Sequence, residues 1–267
     1  CSVRRQRQMC IRDRSSTMCL ILFSKPKDGN YKFVLTSNRD EFYERKTKNM
    51  FWWNETKGLL AGQDLEQKGT WLGISNQGKF AAVTNVREFY KLRENQNFLS
   101  RGDLVKDFFE SDESPTEYIS KIETENYLGF NLIVSDMDDF SIISSQGTEH
   151  FDPELVVIGN RALNTETEKL KNAKEDFKKI LKSNFCHKDL IDLMQSPKKK
   201  YDFNLDEINK NHGKEFNSRF ITSEIYGTRS TTVITISRDD QVKVTEVVYD
   251  KAANELETNS FKFKILN

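Results

Sequence analysis

Met18-Cys19-Leu20-Ile21-Leu22-Phe23, then the turn-rich Lys25-Pro26-Lys27-Asp28-Gly29-Asn30, then Phe33-Val34-Leu35-Thr36-Ser37-Asn38-Arg39-Asp40-Glu41 form the stretch on which the reading of this chain turns. Two short apolar runs, 19–24 and 32–37, joined by a Pro/Gly/Asn-rich connector read as a β-hairpin. A cysteine directly after a methionine becomes the first residue of the chain if the methionine is removed. It then carries a thiol and a free α-amine on one carbon, so a nucleophile and a base come together. The cluster Asn38-Arg39-Asp40-Glu41 is expected at the exposed end of the second strand. Charged residues at the exposed end of a buried strand need a reason to be there, and a catalytic or ligand-binding mouth is one.

Outward from this hairpin, Leu59–Gly62, Trp71–Ser75 and Lys79–Val86 read as further strands, the last two joined by the tight-turn signal Asn76-Gln77-Gly78. A helix begins near Ser100, with Leu104, Val105, Phe108 and Phe109 at helical spacing, and Ser114-Pro115 opens a second. Strands return at Asn131–Ser135, Phe140–Ser144 and Leu155–Ile158. A long helix spans about Thr165 to Ser183, with Leu170, Ala173, Phe177, Ile180 and Leu181 on one stripe, and His187–Gln195 forms another. Residues 196–217 are polar and lysine-rich and read as a surface insertion. The end is β again, at Thr231–Ser237, Val242–Tyr249 and Phe261–Leu266. This order implies two antiparallel sheets packed together with helices on both outer faces, an α/β four-layer αββα sandwich.

At 267 residues the chain can bury a sizeable core. It is 36% hydrophobic and 31% charged with four prolines, the composition of a soluble globular protein. No apolar run approaches the ~20 residues that span a bilayer. The formal charge of zero hides an asymmetry: five of the 41 basic and one of the 41 acidic residues lie in residues 1–17, leaving 36 against 40, a net of −4. A mildly acidic body gives no case for nucleic-acid binding. The extension 1–17 is arginine-rich like a mitochondrial targeting peptide, but it lacks an apolar face and a starting methionine. It is expected to be translated non-coding or sequencing-derived sequence, outside a single domain of residues 18–267. Apart from Cys1 and Cys10 in that extension, only Cys19 and Cys186 remain. Two lone cysteines make neither a disulfide framework nor a metal pattern, and a reducing compartment such as the cytoplasm fits best.

The chain resembles the Asn-Arg-Asp-Glu family, also called the transport and Golgi organisation protein 2 family. Met18-Cys19 opens the resemblance and Asn38-Arg39-Asp40-Glu41-Phe42 continues it. Leu60-Ala61-Gly62-Gln63-Asp64, Gly69-Thr70-Trp71-Leu72-Gly73, Gly78–Asn85, Gly129-Phe130-Asn131-Leu132, Gly159-Asn160-Arg161-Ala162-Leu163 and Tyr226-Gly227-Thr228-Arg229-Ser230 follow in order. Gln63, Lys68 and Arg161 depart from the family's usual residues, the last beside a candidate site residue. The family in turn resembles the N-terminal-nucleophile hydrolases, in particular the cysteine branch with bile-salt hydrolase and penicillin acylases. Their fold is the four-layer sandwich already read from the element order.

Each candidate residue has a functional and a plain reading. Cys19 is a nucleophile deprotonated by its own amine, or a small buried residue opening a core strand. Only His150, His187 and His212 are present, none in a recognisable setting, so a Cys-His protease is not expected. Arg39 holds a substrate carboxylate and Asp40 orients the amine of Cys19, or the two tie the hairpin to its neighbouring sheet. Adjacent strand residues point to opposite faces, so both enter one site only where the strand ends or bends; Glu41 is read as structural. Asn85 and Asn160, each following an apolar strand, are candidate oxyanion donors or turn caps. Arg229 is a candidate substrate-carboxylate anchor. Trp71 is a candidate for an apolar substrate wall, although core packing accounts for most of the aromatic residues.

The resemblance implies an amidase-like or thioesterase-like hydrolase of a small acylated molecule that requires no cofactor and works as a monomer or homodimer. The alternative, taken from the eukaryotic relatives' association with Golgi organisation, secretion and haem mobilisation, is a binding or trafficking protein for haem or an acyl ligand. A mitochondrial or Golgi-associated location would then replace the cytoplasm.

Overall fold

The structure is a computed structural model whose described residues are 18–56, 58–86, 98–148, 151–163, 165–202 and 217–266. The extension 1–17 and residues 203–216 of the expected surface insertion lie outside them. Strands β1 (Met18–Ser24) and β2 (Tyr31–Phe42) form the expected hairpin. They sit inside a six-stranded antiparallel sheet of order β10-β1-β2-β13-β14-β15, completed by β10 (Val156–Ile158), β13 (Tyr226–Ser237), β14 (Gln241–Tyr249) and β15 (Glu255–Lys264). The second sheet runs in chain order from β3 (Thr47–Trp52) through β4 (Leu59–Asp64), β5 (Leu72–Ser75), β6 (Phe80–Asn85), β7 (Phe130–Ser135) and β8 (Phe140–Ser144) to β9 (Gly147–Thr148).

Alternation along the strands decides which residues meet. Ile21, Phe23, Phe33, Leu35, Ile234 and Val244 on one sheet pack against Leu60, Leu72, Ile74, Phe80, Ala82 and Ile133 on the other. The opposite face of the first sheet, with Leu20, Leu22, Val34, Val233 and Val247, is covered by Ala173 and Phe177 of α3 (Glu168–Leu181) and by Leu190 and Met194 of α4 (His187–Gln195). The opposite face of the second, with Ala81, Val83, Leu132 and Val134, is covered by Leu104, Val105 and Phe108 of α1 (Arg101–Glu110) and by Ile119 of α2 (Pro115–Ser120). The result is the four-layer αββα sandwich. Each fully buried Leu, Ile or Phe contributes about 2 kcal/mol of transfer free energy to it.

Local chemistry sets the helix starts. Ser114 and Glu117 form a capping box ahead of Pro115, and Thr167 Oγ1 accepts from Leu170 N–H. Ser100 does precede α1, but its side chain makes no capping hydrogen bond. Three features differ from the sequence reading. β2 runs on to Phe42, so the Asn38–Glu41 cluster is inside the sheet and at most 6% exposed. β13 pairs with β2 as far as Phe42 and β1 does so as far as Asp40. β3 was not expected, because its apolar residues follow Thr47-Lys48-Asn49 and its pairing with β4 shifts register between Lys48 and Phe51. Part of the expected insertion is ordered as β11 (Lys198–Lys200), which pairs in parallel with β12 (Phe220–Thr222). Among the described residues no helix is long and apolar enough to cross a membrane.

Candidate functional site

In the β1–β2 ladder Cys19 pairs with Arg39, and paired residues share a face. That face is the inner one, toward the second sheet. Asn38 and Asp40 therefore point the other way, toward the helical layer. Asn38 Nδ2 donates to the carbonyls of Met194 (2.9 Å) and Arg219 (2.8 Å), and its Oδ1 accepts from Thr231 Oγ1 (2.7 Å). It thereby caps the end of α4. Asp40 accepts from Thr228 Oγ1 at 2.6 Å. The four-residue cluster is thus divided, with Arg39 and Glu41 on the inner side and Asn38 and Asp40 on the outer.

Arg39 and Glu41 open into a cavity of about 110 Å³. Cys19, Trp71, Val83, Asn85, Leu99, Arg45, Asp64 and the first residues of α1, Ser100 to Gly102, share its wall. The Arg39 guanidinium lies 4.1 Å from the centre of the Trp71 ring and 3.5 Å from Glu41 Oε2. Arg45 extends the charge network: its Nε and Nη2 stand 2.8 and 2.7 Å from Asp64 Oδ2, and its Nε is 3.9 Å from Glu41. Helix α1 reaches the cavity because two glycines let backbones touch. A Cβ on Gly69 would lie 2.5 Å from the Gly102 carbonyl carbon, and Thr70 N–H donates to Gly102 O at 3.3 Å.

The electrostatics disfavour the Cys19 thiolate. Burial first, then the Asp40 carboxylate, pushes its thiol up to about 12; Arg39 and the Asp40 backbone N–H pull the other way. Burial also raises the Glu41 carboxyl, against Arg39 and Arg45. No described histidine lines the cavity. His187 sits between α4 and the first sheet, its ring nitrogens 2.8 Å from Thr245 Oγ1 and 2.9 Å from Thr235 Oγ1. His150 and His212 lie outside the described residues.

Of the residues singled out from sequence, Cys19, Arg39, Asn85 and Trp71 meet at this cavity. Asp40 approaches Cys19 from the outer side of the sheet. Asn160 follows β10; the Ile21–Ile158 pair of the ladder, continued two residues, leads to Cys19 and Asn160. Arg229 is not part of the cavity wall. It is the extra residue at the β13 bulge opposite Asp40 and Arg39, and its Nη1 donates to the carbonyls of Phe42, Tyr43 and Arg45 at 2.9, 3.4 and 3.3 Å. Two further arginines that sequence reasoning missed also line the cavity, Arg101 of α1 and Arg45. The one sequence signal of Arg45 was its place four residues after Glu41.

The sequence profile described as Transport and Golgi organisation 2 matches residues 18–251 of this chain. The chain belongs to that family. The family's Mus musculus homologue is 30% identical over 93% of this chain and 99% of its own length, and the Homo sapiens homologue has the same identity and coverage. Among solved structures, the Caenorhabditis elegans N-acylethanolamine-hydrolyzing acid amidase ortholog aligns with a TM-score of 0.50 at 12% identity, over 81% of this chain and 92% of that chain. At that identity the likeness speaks for the fold alone, and the fold is that of the N-terminal-nucleophile hydrolases. In this family member the hairpin that carries Cys19 and Arg39 is at the centre of that fold.

Proposed function

We propose that the protein hydrolyses an amide or thioester of a small acylated molecule, with Cys19 as nucleophile once it is the first residue. The observation that carries this reading is the buried Cys19 on a cavity wall shared with Asn85 and Arg39, with no described histidine to deprotonate it. A free α-amine has a pKa of about 8 and sits on the same carbon as the thiol side chain, so it can serve as that base. The amine takes the thiol proton and the thiolate attacks the substrate carbonyl carbon. The oxyanion accepts hydrogen bonds from the side-chain amides of Asn85 and Asn160. The ammonium returns the proton to the leaving amine or thiol as the C–N or C–S bond breaks, leaving a thioester on Cys19. Water, deprotonated by the amine, then attacks the thioester and releases the acid. Arg39, stacked on Trp71, supplies positive charge beside the thiolate, and Asp40 orients the amine.

The test is turnover of acyl amides and acyl thioesters by the purified protein and by Asn85→Ala and Asn160→Ala. Each variant should fold and lose roughly a hundredfold in turnover. A variant that melts sharply earlier, with turnover per folded molecule unchanged, would make that asparagine a turn residue.

A further inference from the structure

Thr84 and Asn131 form a buried polar pair between the two sheets, paired directly in the β6–β7 ladder. Neither lines the cavity. Their hydrogen bonds all lead to one place. Thr84 Oγ1 donates to the Gly159 carbonyl at 2.9 Å. Asn131 Nδ2 donates to the Arg161 carbonyl at 2.9 Å and to Thr84 Oγ1 at 3.2 Å. The residues on either side of Asn160 are thus each held by a side chain from the facing sheet.

The chemistry fixes the orientation of this clamp. The Thr84 hydroxyl proton is committed to Gly159, so its oxygen can only accept from Asn131. Both Asn131 Nδ2 protons are then used, and turning the amide over would set its oxygen against two other oxygens. The orientation leaves Asn131 Oδ1 buried with no hydrogen-bond partner among the described residues, and such a group calls for an explanation. An apolar pair of the same shape could fill this site, but it would take these donors away from the Gly159 and Arg161 carbonyls. What it could not do is hold two carbonyls in fixed directions.

We infer that Thr84 and Asn131 are positioning residues that fix Gly159 and Arg161 and, through them, aim the Asn160 side chain. The inference rests on the reading of Asn160 as an oxyanion donor. One strand end then serves both donors: β6 carries Asn85 on the cavity wall and, one residue earlier, the hydroxyl that holds Asn160 in line.

The test compares Thr84→Val and Asn131→Asp with the purified protein, and uses Thr84→Ser, which keeps the hydroxyl, as the conservative rescue. Hydrogen exchange of the amides of residues 160–162 reads the clamp without any chemistry. The burst of nitrophenolate from 4-nitrophenyl butyrate reads acylation. With melting temperature retained, both variants should exchange those amides at least about tenfold faster, and Thr84→Ser should not. Their acylation rate should fall about tenfold to a hundredfold, as misplacement of a catalytic group does, with KM little changed. Combined with Asn160→Ala, neither should cause a further loss. Unchanged exchange at 160–162 overturns the inference whatever the activity does. Losses that multiply with that of Asn160→Ala also overturn it, since the pair would then act elsewhere. Faster exchange together with a fully active Asn160→Ala upholds the clamp and removes the oxyanion role of Asn160 instead. If Asn131→Asp does not fold, Thr84→Val alone decides by the same readings.

Discussion

Asn38 and Arg39 are neighbours in sequence and work on opposite sides of one sheet. The Asn38 amide satisfies two carbonyls at the end of α4 and accepts from Thr231, so Asn38→Ala would leave buried polar groups without partners. It should cost roughly 2–3 kcal/mol of stability in urea melts, with acylation per folded molecule unchanged. A loss of acylation without destabilisation would move Asn38 into the site. Glu41, on the cavity side, opposes formation of the Cys19 thiolate, as Asp40 does more strongly. Removing a nearby negative charge favours the thiolate. Glu41→Gln should therefore raise the iodoacetamide alkylation rate of Cys19 relative to the exposed Cys186 at a fixed pH near neutrality. An unchanged ratio would mean that Glu41 acts only through packing.

At the scale of elements, α1 is the piece that closes the cavity, and it docks on a glycine contact. At Gly69 a methyl would enter the Gly102 backbone at 2.5 Å, while at Gly102 its nearest neighbour would be 3.1 Å away. Gly69→Ala should cost about 1–3 kcal/mol through overpacking and depress acylation; Gly102→Ala should do less of both. Equal effects in urea melts and burst assays would show that α1 is not held there. The same scale shows what the sequence could and could not convey. The β1–β2 hairpin, α1, α4 and β8 were legible, because apolar periodicity and turn chemistry are local. The depth of Asn38–Glu41 was not, since it depends on β13 pairing with β2 across some 190 residues. The contacts of Arg229 were not legible for a related reason: it is the extra residue at a bulge, and no local pattern announces one. Arg45 entered the cavity through its pairing with Asp64, a contact between a loop and another strand.

For the molecule as a whole, the outer layer carries its own pH dependence. Burial lowers His187 to about 4 from an unperturbed 6.5. In the window between these values the unfolded chain binds the proton more readily, so stability is fully present above 6.5 and is lost as pH falls toward 4. The difference corresponds to about 3 kcal/mol at most. The stability gap between the protein and His187→Gln, measured by urea melts, should shrink by up to that amount from pH 7 to pH 4. A constant gap would mean that His187 titrates normally. The four layers themselves were legible from element order, whereas the division of one motif between two layers follows from pairing register. That division puts the Cys19 thiol on the cavity side and Asp40 on the other, and in the proposed mechanism Cys19 attacks only when its own amine is free. Mass spectrometry of the purified protein after brief exposure to 4-nitrophenyl butyrate tests this most directly, by reading both the first residue of each molecule and the site of the butyryl adduct. The expected result is a butyryl group on Cys19 in molecules that begin at Cys19 and none in molecules that retain residues ahead of it. Equal adduct on Cys19 in both, or none in those that begin there, would contradict it.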